Sequence, residues 1–152
     1  MPFFEASQSA IDQFADALWL EDGLSRNTLS AYRSDLRHFA HWLAAQAPPL
    51  ALDAAAEHHI QAYFSARHHG TRATTANRRL TVLRRYFHWA LRERRIAADP
   101  TARLQAARQA LRVPKTLSMA QVEALLAAPD VRAALGMRDR SMLELMYASG
   151  LR

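Results

Sequence analysis

The sequence predicts an all-α fold. Apolar side chains recur at three- and four-residue intervals along most of its 152 residues, and glycine or proline interrupts the pattern at short breaks. No stretch alternates apolar and polar residues as a half-buried strand would. Half of the residues are apolar, so the chain can bury the core of one compact domain and begin another.

The first two helices are predicted from single apolar faces. One runs over Ser7–Glu21 and ends before Asp22 and Gly23. The second begins near Ser25 or Asn27, because either side chain can accept hydrogen bonds from the free N–H groups at a helix start. The residues that define the two core-facing stripes are Ile11, Phe14 and Leu18, then Leu29, Tyr32, Leu36, Phe39 and Leu43.

A third helix is predicted after the break at Pro48 and Pro49. Asp53 offers a further N-terminal cap, and Gly70 ends the helix because glycine readily adopts the left-handed conformation found there. Its apolar side carries Ile60, Tyr63 and Phe64.

The fourth predicted helix, Thr71–Arg95, is rich in arginine. It holds seven arginines beyond its first residues and one acid, Glu93. On a helical wheel, Arg78 shares a face with Thr74, Thr81, Arg85 and Arg92, and the opposite face carries Ala76, Leu80, Leu83, Phe87 and Leu91. A second apolar flank consists of Val82, Tyr86 and Trp89. We therefore expect this helix to pack on more than one neighbour and to leave a continuous basic strip free for a polyanion.

A linker and the start of a second domain are predicted after Asp99 and Pro100. Residues 105–116 have weak periodicity and no aromatic anchor, and they would separate a domain at 1–104 from one at 117–152. In the second domain, Ser118 and Gln121 form a capping box. The helix that follows is expected to have Val122, Leu125 and Leu126 inside. After Pro129, the pattern Met142, Leu143, Leu145 and Met146 predicts another apolar helix, with Gly150 as a C-terminal cap. Roughly 36 residues are too few for a separate core, so we expect a truncated domain.

Charge is unevenly distributed along the chain. Residues 1–25 hold five acids and no Lys or Arg, whereas residues 58–115 hold twelve Arg and one Lys against two acids; the net charge is +6. Arginine binds phosphate bidentately and stays charged. An arginine-rich helix can also be merely solvated, and the run by itself does not decide between the two. The polarity of the chain favours a polyanion, with nucleic acid as the leading candidate.

Several functional classes are not favoured by the composition. The chain has no cysteine, so a disulfide framework and a thiolate metal site are both excluded. No run approaches the roughly 20 apolar residues of a membrane span, and the N-terminus does not resemble a signal peptide, so a cytoplasmic protein is expected. No cofactor and no metal ligands are predicted, because His58 with His59 and His68 with His69 are adjacent pairs without a completing acid. The tryptophans Trp19, Trp42 and Trp89 are expected to pack in the core, with Trp42 partly exposed.

Two stretches resemble the tyrosine recombinase (phage integrase) family, and within it the Xer branch. The first lies between Ile11 and Leu43 and includes Gly23-Leu24-Ser25, Asn27-Thr28-Leu29, Ala31-Tyr32 and Asp35-Leu36. The second comprises Pro114 to Ser118, Gln121-Val122, Arg138-Asp139-Arg140, Met142-Leu143 and Tyr147 to Arg152. Ser149 stands where the family pattern has threonine.

The resemblance implies a four-helix core-binding (SAM-like) bundle that forms one half of a clamp around double-stranded DNA, followed by the first helices of a truncated catalytic domain. Family members attack the scissile phosphate with a tyrosine, form a 3′-phosphotyrosyl link and require no metal. Of the family's catalytic groups only the first arginine has a match here, Arg152. Its guanidinium would stabilise charge on the transferring phosphoryl group. We expect the 152-residue chain to lack the nucleophile, to be inactive alone and to form no covalent adduct with DNA.

In the family the second and fourth helices contact DNA. Carried over to this chain, the predicted DNA-binding residues are Arg26, Asn27, Thr28 and Arg33, then Thr71, Arg72, Thr74, Asn77, Arg78, Arg79 and Arg85. Arg and Asn can read base edges, and Thr and further Arg can hold phosphates. If about four to six phosphates are neutralised, log affinity should fall with log salt with a slope of about −4 to −5. The acidic first helix, with Asp12 and Asp16 one turn apart, is expected to lie away from DNA and, by family analogy, to contact a neighbouring protomer.

The first functional hypothesis is therefore site-specific recombination. In the Xer branch this implies chromosome dimer resolution, with a second Xer-type recombinase protomer and a DNA translocase as partners of the full-length protein. An integron or phage-type integrase is the alternative within the family. A non-enzymatic helical DNA-binding module, or a protein-interaction bundle whose basic face meets an acidic partner, is the alternative outside it.

Overall fold

The computed structural model describes residues 2–108 and 116–150, which form six α-helices and no strand. The helices are α1 (Pro2–Asp22), α2 (Arg26–Ala44), α3 (Glu57–Ala66), α4 (Ala73–Arg92), α5 (Met119–Ala127) and α6 (Gly136–Ser149), with 3-10 turns at Leu52–Ala54 and His68–Gly70. The all-α prediction is confirmed. The chain divides into two compact units, Met1–Ala110 and Leu111–Arg152. The domain limits at 104 and 117 stay predictions. None of the described helices is long and apolar enough to cross a membrane.

The core of the first unit forms where α1, α2 and α4 pack against one another. The predicted apolar faces of the first four helices are buried with four exceptions: Tyr32, Phe64 and Ala76 are half-buried, and Leu91 is 38% exposed. Aromatic rings pack between the helices: the Phe14 ring of α1 contacts the Tyr86 ring of α4 edge-on with centroids 5.4 Å apart, and the Phe39 ring of α2 contacts the Tyr63 ring of α3 at 4.9 Å. Each such aromatic side chain stabilises the fold by about 1.5–3 kcal/mol through burial. Trp89 is buried and Trp42 half-buried, but Trp19 is 60% exposed, so its prediction as a core residue is wrong.

The first helix starts five residues earlier than predicted, at Pro2. Ser7 therefore lies inside α1, where it is buried. Its hydroxyl donates to the Phe3 carbonyl (2.8 Å) and accepts from the Leu52 N–H (2.9 Å), which links α1 to the 3-10 turn. Proline is tolerated at the start of a helix because its missing N–H would have no partner there. Ser25 is the N-cap of α2, and its hydroxyl accepts from the Thr28 N–H, which confirms the first of the two predicted caps.

Asp53 does not cap the third helix, and this prediction is wrong. It lies in the 3-10 turn before α3, where it accepts a hydrogen bond from the Tyr86 hydroxyl. It also accepts two hydrogen bonds from Arg95, from Nη2 at 2.7 Å and from Nε at 2.9 Å. Burial, reinforced by the bond to Asp53, raises the pKa of Tyr86. At the start of α3 the Ala56 N–H donates instead to Nδ1 of His59 (3.0 Å). The helix ends at Ala66, and the predicted end at Gly70 falls in the following 3-10 turn.

The C-terminal end of α4 is stabilised by an arginine in an unusual conformation. Arg94 has φ 55°, a left-handed value that glycine adopts without strain, and the Arg95 N–H donates to the Ala90 carbonyl at 2.9 Å. The helix runs over Ala73–Arg92, so it starts two residues later and ends three residues earlier than the predicted Thr71–Arg95.

In the second unit, α5 packs against α6, and the apolar side chains remain largely open. The Ser118 capping box is present, with both of its hydrogen bonds to Gln121, and Gly150 ends α6 at φ 64° as predicted. Leu125 is 47% exposed, so the prediction that it lies inside is wrong. Among the described residues of this unit, only Gly136 is buried. The other apolar side chains that lie open are Leu117, Met119, Val131, Leu135, Met137, Met142, Leu145, Met146 and Tyr147.

Candidate nucleic-acid interface

Carboxylates from two other helices meet the charged face of α4. Asp35 of α2 pairs with Arg78, and the last two residues of α1 pair with Arg85 and Arg92. Just beyond the helix, Arg95 pairs with the Asp53 carboxylate. The expectation of a continuous free basic strip along this helix is therefore wrong. Short acidic contacts interrupt it, and the exposed cations form separate groups.

Asp35 is the buried member of these pairs, with 7% of its side chain exposed. Arg78 donates a hydrogen bond from Nη2 to Oδ1 of Asp35 at 3.0 Å. Its Nη1 also forms an ion pair with Oδ2 at 2.6 Å, but Oδ2 accepts no hydrogen bond. Nε of Arg79 lies 3.7 Å from Oδ1 and has no hydrogen-bond acceptor. A buried carboxylate needs such partners because desolvation penalises its charge. The sequence held a signal for this contact: Asp35 directly precedes Leu36 of the core stripe and lies three residues after Tyr32, so its carboxylate borders the apolar face.

Arg33 and Arg85, both predicted to bind DNA, are held by acids of α1. Arg33 contacts Asp12 and Asp16 at 3.3 Å each. Arg85 bonds to Asp22, donates to the Tyr32 hydroxyl at 3.4 Å and stacks over the same ring at 5.7 Å. Three partners fix its guanidinium, so Arg85 is not the free cation that the helical wheel suggests. A wheel shows which face a residue occupies but not what faces it.

Among the exposed groups with no such partner are those at the N-terminal ends of α2 and α4. Arg26 is the first residue of α2 and Arg72 is the N-cap of α4; neither has an ion-pair partner within the described ranges. Asn27 and Thr74 are exposed beside them, and Thr28 and Thr71 are half-exposed. Helix N-termini also present unpaired backbone N–H groups that favour anions. Each end thus combines a free guanidinium with hydroxyl and backbone donors.

The two ends lie at opposite extremes of an antiparallel helix pair. Arg78 contacts Asp35, and Arg85, later on α4, donates to Tyr32, which is earlier on α2. At about 1.5 Å per residue, Arg72 is displaced roughly 25 Å along the axis from the level of Arg26. That distance corresponds to roughly seven base pairs at about 3.4 Å each. Arg78, with 49% of its side chain exposed, lies between them.

Asn77, another predicted DNA-binding residue, already uses its amide in the protein. Its Nδ2 donates to the Ala107 carbonyl at 2.9 Å, and its Oδ1 accepts from the Ala107 N–H at 2.8 Å. Arg84, which the sequence did not single out, donates to the Leu104 carbonyl. These contacts hold residues 104–107 against α4, so the start of the predicted linker is docked on the first unit. Only the folded chain brings the two segments together.

A cavity of about 550 Å³ opens between α3, the start of α4 and this docked segment. Phe64 and Leu80 contribute apolar surface to its lining, and Arg67, Arg79 and Arg108 contribute charge. It lies beside Thr71 and therefore extends the basic character of the α4 N-terminal end.

Metal binding finds no geometric support in the part of the chain that is described, where no three His, Asp or Glu side chains come together in an arrangement able to hold an ion. His58 and His59 lie ring against ring at 3.8 Å. Burial, with a smaller effect of His58, lowers the pKa of His59, which matches its role as an acceptor at the start of α3. Arg152, the predicted catalytic residue, lies outside the described residues.

Comparison with known proteins places the chain in a family. Residues 11–94, which cover α2 to α4 and most of α1, match the phage integrase N-terminal SAM-like domain. The chain therefore belongs to the phage integrase, or tyrosine recombinase, family, and the predicted SAM-like bundle is confirmed.

Relatives that match the chain over nearly its whole length are named tyrosine recombinase XerD, a recombinase of the Xer branch. The chain is 60% identical over 152 residues to tyrosine recombinase XerD of Ralstonia nicotianae, covering all of this chain and 49% of the relative. It is 47% identical over 143 residues to XerD of Pseudomonas putida, covering 93% of this chain and 47% of the relative. For XerD of Vibrio cholerae the identity is 41% over 146 residues, with 95% and 48% covered. The Xer-branch prediction is confirmed, and the chain spans about half the length of the curated relatives it matches.

Proposed function

We propose that the chain is the DNA-binding region of a XerD-like site-specific tyrosine recombinase. The observation that carries this proposal is the pair of exposed cationic helix ends at Arg26 and Arg72, within a domain of the phage integrase family. At roughly 25 Å apart, the two ends would contact phosphates about seven base pairs apart on one duplex. Thr28, Thr71, Thr74 and Arg78 complete the phosphate contacts.

The remaining predicted residues have lesser roles in this proposal. Arg33 and Arg85 would contact phosphate only by leaving carboxylate partners, and Asn77 only by releasing Ala107. Arg79 supports Arg78 through their shared contact with Asp35. Asn27 is exposed at the start of α2 and is available to read a base edge.

For the whole protein, the proposal is cleavage and rejoining of DNA through a 3′-phosphotyrosyl intermediate in chromosome dimer resolution. Arg152 would bind the scissile phosphate and stabilise the charge that builds up during transfer. The partners would be double-stranded DNA, an XerC-like second protomer and a DNA translocase, in the cytoplasm. The XerD identity of the relatives supports this set of proposals.

DNA binding is tested by fluorescence anisotropy with a labelled duplex of about 20 base pairs over a range of salt concentrations. The unaltered chain should bind at low salt with a log–log slope of about −4. The double variant Arg26→Gln/Arg72→Gln should bind more weakly, with a slope smaller in magnitude by about 1.8, because two phosphate contacts are lost.

Arg37→Gln is the matched control. Arg37 lies on α2 but donates to Gln8 of α1 at 2.8 Å, so its loss should leave the slope unchanged. Binding that does not respond to salt, or equal losses in the control and the double variant, would contradict the proposed interface.

A further inference from the structure

Two acids end the first helix, where helix electrostatics disfavours them. Glu21 and Asp22 occupy the last turn of α1, which contains no basic residue. The C-terminal end of a helix carries partial negative charge and normally favours cations. The local structure of α1 therefore does not explain why two acids occupy this position. Their contacts with arginines of α4 explain it.

Those contacts are well formed. Arg92 donates from Nη1 and Nη2 to the two oxygens of Glu21 at 2.8 and 2.7 Å, a bidentate arrangement of the kind that a phosphate would receive. The bond to Glu21 raises the pKa of Arg92. Arg85 donates to Asp22, and Tyr32 restrains it further. Each acid thus accepts the hydrogen bonds that a guanidinium of α4 could otherwise donate to a phosphate oxygen.

The same pattern recurs along α1. Arg33 of α2 contacts Asp12 and Asp16, which lie one turn apart on the same helix. Acids of α1 therefore neutralise cations on both helices that carry the proposed interface, and they leave the guanidinium groups of Arg26 and Arg72 unpaired among the described residues.

We propose that Glu21 and Asp22 are intramolecular counterions that withhold Arg85 and Arg92 from DNA phosphates and so restrict phosphate binding by α4 to its N-terminal half. This inference rests on the proposed function. The two acids are specificity-determining residues because they reduce the sequence-independent electrostatic part of binding. Contacts that depend on the target site then make a larger share of the affinity.

The test is the double variant Glu21→Gln/Asp22→Asn, measured with a random-sequence duplex of about 20 base pairs by anisotropy. Releasing Arg85 and freeing Nη1 and Nη2 of Arg92, whose Nε keeps its contact with Glu93 at 3.2 Å, should steepen the log–log salt slope by up to about 1.8. The loss of affinity between about 50 and about 200 mM salt should then be about tenfold greater than in the unaltered chain. A triple variant that adds Arg92→Gln should lose about half of this increase.

Net charge alone is controlled by Glu57→Gln/Glu123→Gln, which adds the same two positive charges. Glu57 accepts from Gln61 within α3, and Glu123 is exposed on α5. This control should leave the slope within about 0.5 of the unaltered value. Thermal unfolding of each variant, followed by circular dichroism, verifies that the bundle is folded, and Glu21→Gln alone replaces the double variant if that one does not fold.

The outcomes separate this inference from the proposed function. A steeper slope in the acid variant alone supports the counterion role. If the unaltered chain binds DNA but the acid variant has the same slope, or the charge control steepens it equally, the counterion role is overturned and the proposed function stands. If the unaltered chain does not bind duplex at low salt, both are overturned.

Discussion

Replacing Asp35 with Asn should lower the free energy of unfolding of the first unit by about 2 kcal/mol. The exposure of the side chains sets this magnitude: Asp35 is 7% exposed, Arg79 19% and Arg78 49%. Breaking a fully buried ion pair costs about 3–5 kcal/mol, and breaking an exposed one costs about 0–1 kcal/mol. The contact lies between these limits because water can solvate Arg78 after the change, whereas Nε of Arg79 stays buried.

The assay is urea and thermal denaturation followed by circular dichroism and tryptophan fluorescence. A loss of about 2 kcal/mol should lower the Tm by roughly 8 °C for a domain of this size. Arg78→Gln should cost about as much, because it leaves the Asp35 carboxylate buried with only Arg79 nearby. The double variant Asp35→Asn/Arg78→Gln should be less destabilised than the sum of the two by about 1 kcal/mol or more.

Asp12→Asn is the control for this series. Asp12 also pairs with an arginine, but 47% of its side chain is exposed, so its loss should change stability by no more than about 0.5 kcal/mol. Asp35→Asn with a loss as small as the control's, or strict additivity in the double variant, would refute the reasoning that burial makes this ion pair more important for stability than an exposed one.

Four further predictions concern single contacts. Ser7→Ala should lower the free energy of unfolding by about 1–2 kcal/mol, because the Leu52 N–H loses its acceptor, and urea denaturation that finds no change would argue against the bridge. Arg94→Gly should raise it by about 1 kcal/mol by relieving the left-handed φ of 55°, whereas Arg94→Ala should not, as thermal unfolding of both variants can show. Asn77→Ala should speed amide hydrogen exchange at Ala107 about tenfold, with Asn77→Asp intermediate because it keeps the acceptor; equal rates would mean that residues 104–107 are held by other contacts. Burial raises the pKa of Tyr63 and Tyr86 above the ordinary 10.0, so the unfolded chain releases these protons first and stability should fall as pH rises above 10.0; a pH series of urea midpoints that stays flat would contradict this.

The helices and their core faces could be predicted from the sequence because both depend on local periodicity. Leu36 and Phe39 of α2, and Leu83 and Phe87 of α4, are buried as their spacing requires. The residue at each boundary was harder to assign. Asp53 has a side chain that could cap a helix, but its carboxylate instead accepts hydrogen bonds from Tyr86 and Arg95. Both of these residues are distant from Asp53 in the sequence.

The candidate site shows the same division. The sequence identified the arginine-rich helix and placed Arg26 and Arg72 near helix starts, because charge and position at a helix start are local properties. It did not reveal that Asn77 binds Ala107.

By itself, the sequence determined that this protein is a helical bundle of the phage integrase family with a strong excess of arginine on its fourth helix. The tertiary structure alone decided which of those arginines are free, because ion pairing depends on the separation of side chains in space. Asp22 is 63 residues from Arg85 in the chain, and Asp35 is 43 from Arg78. Packing of α1 and α2 against α4 brings each acid to its arginine, since Coulomb attraction and desolvation act over a few ångströms and not along the sequence.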